Sequence, residues 1–454
     1  MKNFVQNILS KLGIQSSRTK NVTKHVLLSA IYKGGSILAN FLLVPLSIKF
    51  LDTENYGIWL TLSSFIAWFS FFDIGLGNGL RNKFAEARAG NNTELAKGYV
   101  STAYYSISLI CLAFLIISLA ISYFVDWAAV FNASSNLKGQ LGLLMPIIFG
   151  CFSLQLMLKL ITSIYIGNQD HSMQGKIGLA TAAGSLFLIW ILTQTSNSSL
   201  LLFGAVFMAL PVVLLLLLNL YAFTGDYKPY SPSRAFWKKE HFKDIFGLGL
   251  SFFVIQISII VLFSTDNFII TQLFNPEAVV PYNLSFKYMS IASMVFTIIL
   301  TPYWSSITDA YAKGELEWIK KAMKNLMVFT ALIIGLIIVL VLISPWFYTW
   351  WVQDMVQIPF FLTVCMAIYF TILCTYSPFI FFMNGISKIR LQMYSFAIGA
   401  LINVPLSIFL VKYTSLGVEG VIIATILCIF PNVILAPMQY FKLINKKATG
   451  IWHK

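Results

Sequence analysis

The sequence predicts an all-α integral membrane protein of about twelve transmembrane helices in two six-helix lobes, and three observations carry this. First, 58% of the 454 residues are hydrophobic, only 11% are charged, and the mean hydropathy is +0.79. A soluble globular chain carries roughly 25% charged residues. Second, the apolar runs are long and continuous rather than alternating, which selects helices over a closed β-barrel. Third, lysine and arginine concentrate in alternate loops, as the positive-inside bias of a multi-pass membrane protein requires.

The elements follow in order from the need for roughly 20 apolar residues per crossing. A tail, 1–25, comes first. Its Phe4, Val5, Ile8, Leu9 and Leu12 have helical spacing beside Lys2 and Lys11, which fits a short surface helix or a frayed tail. It has no long apolar core and no small-residue cleavage site, so no cleavable signal is expected. Six spans follow at about 26–49, 56–79, 98–125, 140–165, 175–195 and 199–223, forming an N-lobe over 26–223. The segment 224–244, with Pro229, Pro232 and five basic residues, reads as an interdomain linker. Six more spans at about 245–273, 280–308, 324–347, 358–383, 392–411 and 418–440 form a C-lobe over 245–440, before a tail at 441–454.

With both termini on one side, that side holds 25 of the 31 Lys and Arg, and the opposite side only Lys49, Lys138 and Lys412. The basic side is therefore expected to be cytoplasmic. A topology signal accounts for the net charge of +14, and nucleic-acid binding is not needed to explain it. Trp127, Trp346, Trp350 and Trp351 fall at outer span ends, and Trp237, Trp318 and Trp452 near inner ones. The five cysteines lie in apolar runs without a CxxC pair, and the four histidines show no metal-site spacing. No cofactor and no metal are expected, and without a sizeable aqueous loop or paired carboxylates an enzyme is not expected either.

The two halves resemble each other. "AEARAGN" at 85–91 matches "TDAYAKG" at 308–314 in position and character, each after the second span of its half. Six spans return the chain to the same side, so the pseudo-repeat has parallel topology, a plan common among secondary transporters. Pro45, Pro211, Pro302, Pro378, Pro405 and Pro431 read as kinks. Gly75, Gly77 and Gly79 lack any surrounding βαβ unit, so they read as packing or hinge residues rather than a nucleotide loop. Gly34, Gly35 and Ser36 are read the same way.

Five ionisable residues fall within spans: Lys33, Asp73, Lys159, Asp266 and Lys287. A centred charge costs roughly 2.5–3.5 kcal/mol on insertion scales, so such residues face a bundle interior or a watery cavity. Lys159 lies about six residues, roughly 9 Å of rise, from its span end, so snorkelling to the interface competes with a cavity position. Lys287 and Asp266 lie in the outer half of adjacent spans, where mutual neutralisation is one reading. Asp73 reads as a cavity acid that pairs Lys33 or takes part in ion coupling, against the alternative of a span-end residue reaching water. Tyr282, Tyr288, Tyr303 and Trp304 crowd the eighth span; stacking on sugar rings is one role for them, with core packing or interface anchoring the stronger reading.

"YGIWLTLSSFIAWFSFFDIGLGNGLRNKFAEARAGNN" at 56–92 resembles the second span and following loop of Wzx-type O-antigen flippases. These belong to the multidrug/oligosaccharidyl-lipid/polysaccharide exporter superfamily. "YNLSFKYMSIASMVFTIILTPYWSSITDAYAKGE" at 282–315 is similar to the family's eighth-span region, and "NGISKIRLQMYSFAIGALINVPLSIFLV" at 384–411 to its eleventh. The resemblance implies a two-lobed transporter of the bacterial inner membrane working by alternating access. It implies a substrate of undecaprenyl pyrophosphate bearing a sugar repeat unit, moved from the cytoplasmic to the periplasmic leaflet. A polymerase and a chain-length regulator of the same pathway are implied partners. With that anionic substrate, Lys33, Lys159 and Lys287 are expected to line a central cationic cavity, and Asp73 and Asp266 to serve coupling or charge pairing.

Three alternatives compete. A drug or cation exporter of the same superfamily would need acidic cavity residues, and three lysines against two aspartates in the spans lean the other way. A glycan polymerase or glycosyltransferase lacks its catalytic set here. A passive scramblase or channel is separated only by testing dependence on an ion gradient. At normal membrane abundance, Lys287→Ala is expected to lower surface glycan and Asp73→Asn to lower transport; undiminished glycan or full transport would remove that residue from the mechanism.

Overall fold

The computed structural model describes residues 17–69, 76–168, 170, 172–246, 250–386 and 388–453, and they hold helices without any strand. Among the described residues, ten helices are long and apolar enough to cross a membrane. They fall where ten of the twelve expected spans lie. Leu109, Ile116, Leu332, Leu342 and Leu401 stand exposed on them, as lipid-facing side chains do. The surface is apolar where a soluble protein's would be charged.

Of the other two expected spans, the seventh is split, and the second runs into residues 70–75, which lie outside the described residues. Within 56–79 the described residues give α2 (Thr53–Trp68) and the start of α3 (Leu76–Ala89). Asp73 and Gly75 lie outside the described residues. In place of one helix over 245–273 there are α9 (Leu250–Ser264) and α10 (Asp266–Leu273). The break falls at Ser264, Thr265 and Asp266, three short polar side chains that compete with the helical ladder. Thr265 Oγ1 donates back to Val261 O at 2.6 Å.

The chain forms two compact units. One takes in the chain up to Asp52 together with Ser70–Gly249, and the other takes in Thr53–Phe69 and Leu250–Lys454. Helix α2 therefore groups with the second unit rather than with the first six spans, because its contacts lie there. A Cβ on Gly57 would stand 1.9 Å from the carbonyl oxygen of Pro276, so only glycine admits this approach. Thr61 and Thr271 share a hydroxyl hydrogen bond of 2.6 Å, and the Trp68 ring meets Phe268 edge-on at 5.4 Å.

The first unit contains α1 (Ser17–Leu51), α3, α4 (Thr93–Phe124), α5 (Lys138–Gly167), α6 (Ser172–Thr195) and α7 (Leu200–Thr224). Asn92 caps α4 by accepting from Leu95 N at 2.9 Å, and Ser199 caps α7 through Leu202 N. Buried Asn219 ties three of these helices together. It accepts from Tyr104 OH at 2.7 Å and donates to Leu158 O and Leu215 O at 2.9 and 2.8 Å. At the far end of α4, Lys138 stands 2.8 Å from Asp126. The hydrogen bond from that ammonium holds the Asp126 carboxyl below its ordinary range.

The segment read as a linker is a strap bound to the first unit. The backbone of Ser233 donates to Ser101 Oγ at 3.1 Å and that of Lys238 to Thr102 Oγ1 at 3.2 Å; the Trp237 indole donates to Ser106 Oγ at 3.2 Å. Lys97 stands over the Phe236 ring at 4.6 Å. The strap ends in α8 (Lys239–Phe246), whose His241 ring would meet a Cβ on Gly98 at 2.6 Å. A Cβ on Gly79, in the first turn of α3, would lie 2.1 Å from Ile245 O.

The second unit adds α11 (Pro276–Ala312), α12 (Leu316–Val352), α13 (Phe360–Gly385), α14 (Arg390–Tyr413), α15 (Glu419–Ile429) and α16 (Pro431–Ile444) to α2, α9 and α10. Tyr288 is core: its hydroxyl donates to Leu340 O at 2.9 Å and its ring stacks on Phe347 at 4.6 Å.

Since each of these glycines faces backbone rather than a yielding side chain, Gly57→Val and Gly79→Val should each cost at least about 3 kcal/mol, the upper end for overpacking. The check is membrane abundance and thermal unfolding in detergent. Gly139→Ala, with nothing within 4 Å of its Cβ position, should leave both unchanged.

Candidate functional site

In the second unit, a cavity of about 220 Å³ opens where α9 breaks into α10. Ser64 of α2, Asp266 and Asn267 of α10, Tyr282 and Asn283 of α11, and Thr425 of α15 line it. The break stands beside Asp266 and Asn267 of the cavity wall. It frees the carbonyl of Ser264, which accepts from the Trp68 indole at 2.9 Å. Irregular backbone at membrane depth needs such a partner or a wet cavity.

Asp266 is the first residue of α10 and is buried. Its Oδ2 accepts from Tyr282 OH at 2.5 Å. Its Oδ1 is buried with no hydrogen-bond partner. Beside it, Asn283 donates to Asn267 Oδ1 at 2.6 Å, and Asn267 donates to Ser64 Oγ at 2.7 Å. Asn403 donates to Thr425 Oγ1 at 2.9 Å, and its own Oδ1 is a second buried oxygen without a partner. A half-satisfied buried carboxylate among carbonyl and hydroxyl oxygens can take a proton or a small cation. No group of three or more potential metal ligands of the His, Cys, Asp or Glu type occurs among the described residues.

In the first unit, a cavity of about 400 Å³ lies among α1, α5, α6 and α7. Asn40, Gln155, Lys159, Gln174, Thr181 and Ser185 form its polar wall, against apolar Phe207, Met208 and Pro211. Ser185 Oγ is buried and unpartnered. Lys159 is exposed and makes no ion pair among the described residues. An ammonium beside carboxamides and hydroxyls suits a polyol carrying negative charge.

The expected residues are divided between the two units. Lys159 lines the first unit's cavity. Lys33 is exposed on α1 and does not line that cavity. Lys287 belongs to the second unit, half-buried, one turn beyond Asn283. Asp266 and Lys287 form no ion pair among the described residues; the carboxylate takes a tyrosine hydroxyl instead. Gly77 and Gly79 sit in the first turn of α3. The sequence reading missed Ser64, Asn267, Asn283, Gln155 and Gln174. Their signal was polarity without charge inside apolar spans.

The sequence profile described as polysaccharide biosynthesis protein matches residues 22–308. This chain belongs to that family. Among curated relatives, a candidate O-antigen export protein of Yersinia pseudotuberculosis is 22% identical over 69% of this chain and 72% of its own length. A candidate O-antigen transporter of Salmonella typhimurium is 21% identical over 90% of this chain and 94% of its own. Among solved structures, the inward-facing conformation of a multidrug resistance MATE family transporter of the MOP superfamily superposes with a TM-score of 0.70. It is 15% identical, covering 93% of this chain and 96% of that one. Its outward-facing counterpart gives 0.68 at 14% identity, covering 94% and 96%. This member of the polysaccharide biosynthesis family thus has the multi-pass membrane fold of those transporters, and the relatives named for O-antigen are transporters, not enzymes.

Tyr282→Phe removes one hydroxyl and leaves both Asp266 oxygens unpaired. It should destabilise the second unit by about 1–3 kcal/mol, read from thermal unfolding in detergent. In the Asp266→Asn background the same substitution should cost less. Equal costs in both backgrounds would deny the coupling.

Proposed function

We propose that this protein is a flippase for undecaprenyl-pyrophosphate-linked oligosaccharide repeat units. It moves them from the cytoplasmic to the periplasmic leaflet of the bacterial inner membrane by alternating access. The chain crosses twelve times, with the second and seventh spans counted as crossings and the basic loops and termini in the cytoplasm. A polymerase and its chain-length regulator then act on the delivered unit. The observation that carries this reading is the first unit's cavity, where Lys159 stands among carboxamides and hydroxyls at membrane depth. An ammonium offers a point charge to pyrophosphate, and amides exchange hydrogen bonds with sugar hydroxyls. The family match and the O-antigen relatives support the same substrate class.

The second unit supplies the coupling. Asp266 is buried, has one free oxygen and lacks a cationic side-chain partner among the described residues. Binding a proton or a small monovalent cation there changes the charge of the cavity by one, enough to bias two arrangements of a discontinuous helix. Lys33, Lys287 and Asp73 are assigned supporting roles, in attracting the anionic head and in balancing charge.

Depletion of the protein should leave lipid-linked repeat units on the cytoplasmic leaflet and remove surface polymer. A normal leaflet distribution would sink the flippase reading and favour drug efflux. In proteoliposomes, Asp266→Asn should abolish the gradient-driven part of translocation, and comparing imposed proton and sodium gradients identifies the ion. An unchanged gradient dependence in Asp266→Asn would exclude it as the coupling group.

A further inference from the structure

A third cavity, of about 650 Å³, belongs to neither site described above. It lies in the first unit at the basic end, outside the apolar stretch of α4. Ala85 and Arg88 come from α3, Asn91 and Asn92 from the turn that follows, Asn168 from the end of α5, and Tyr230 from the strap. Its size is within the range of pockets that bury small ligands.

The walls are fixed. Asn91 takes a left-handed φ of 52°, and Asn92 N donates to Ala87 O at 2.9 Å. Asn168 donates to Tyr227 OH at 2.7 Å, which leaves its carbonyl oxygen as an acceptor. Asn92 spends its carbonyl oxygen on Leu95 N, which leaves its amide protons as donors. Phe84 holds the Tyr230 ring edge-on at 5.1 Å.

The charge is uneven in an informative way. Arg88 lines the cavity and no carboxylate does. Lys83, on the same helix, is paired with Glu86 at 2.8 Å, whereas Arg88 has no ion pair among the described residues. These residues also belong to the "AEARAGN" half of the internal repeat. Its partner "TDAYAKG" places Tyr311 where Arg88 stands and Gly314 where Asn91 stands. The repeat preserves the turn, and only the first copy carries the guanidinium and the carboxamide. Fold alone does not require them.

We propose that this cradle is a docking site for a phosphorylated saccharide at the cytoplasmic face of the membrane. The guanidinium fork takes phosphate oxygens in a bidentate pair. The carboxamides of Asn91, Asn92 and Asn168 exchange hydrogen bonds with ring hydroxyls, and Tyr230 offers an apolar edge to the sugar. The orientation of the site, and the saccharide it meets, rest on the flippase reading above. The same chemistry occurs on a lipid-borne sugar pyrophosphate and on a soluble sugar phosphate.

The test is equilibrium binding to the full-length protein in lipid nanodiscs, with no gradient. One probe is a soluble disaccharide diphosphate, and the other is the same head group on an undecaprenyl chain in the nanodisc lipid. Arg88→Ala should weaken binding at least tenfold, about the loss of one charge-assisted pair, and Arg88→Lys should recover part of it. Ala85→Phe fills the cavity without touching a polar group and should weaken binding comparably. Lys83→Ala should leave it unchanged. Binding of the lipid-linked probe alone supports the site and identifies a membrane-borne head group; equal binding of both supports it with a soluble source. Affinities unmoved by both Arg88→Ala and Ala85→Phe, or lowered equally by Lys83→Ala, overturn the proposal. Intact binding with no leaflet transfer would overturn the flippase reading and leave the site standing.

Discussion

Within hydrocarbon there is no solvent to receive a hydrogen bond, and every polar group placed there must find its partner in the protein. The architecture answers this constraint locally and repeatedly. Most hydroxyls on the spans return to their own helix, as Ser47 does to Leu43 O and Thr330 to Leu326 O. Where a helix breaks, another helix supplies what the ladder has lost. The Trp68 indole on the Ser264 carbonyl is the clearest case. Among the buried oxygens that escape this rule, those of Asp266 and Ser185 line the two membrane cavities and that of Asn403 adjoins one, whereas those of Gln392 and Ser407 line neither.

Much of the fold was legible because crossing a bilayer demands a length and a composition that hydropathy reads directly. The break in the seventh span was not legible, because composition is similar on both sides of it. Phe263 and Ile269 look alike to a hydropathy window whether one helix or two connects them. The binding of the 224–244 segment to the first unit was not legible for a related reason. Pro229 and Pro232 mark irregular backbone, and irregular backbone resembles a loose connection until its partners are known. Those partners, Ser101, Thr102 and Ser106, stand on one stretch of α4 more than a hundred residues earlier.

The candidate sites show the same division. Charge inside a span is conspicuous, so Lys159 and Asp266, which line the two cavities, stood out in the sequence. Their surroundings did not, because uncharged amides cost less and draw less notice. Asp266 was weighed against Lys287 on proximity along adjacent spans, yet its partner is Tyr282 of α11. A tyrosine hydroxyl satisfies one carboxylate oxygen without cancelling its charge, as a salt bridge would.

The placement of α2 has a consequence for synthesis. The helix leaves the ribosome early, but its seat on α10 and α11 is encoded beyond residue 265. At roughly 5–20 residues per second, about 200 intervening residues mean a wait of about 10–40 s. During that interval Thr61 and Ser64 lack Thr271 and Asn267. The second half, made alone, would lack one of its own walls. The two halves of the gene thus cannot be exchanged as cassettes.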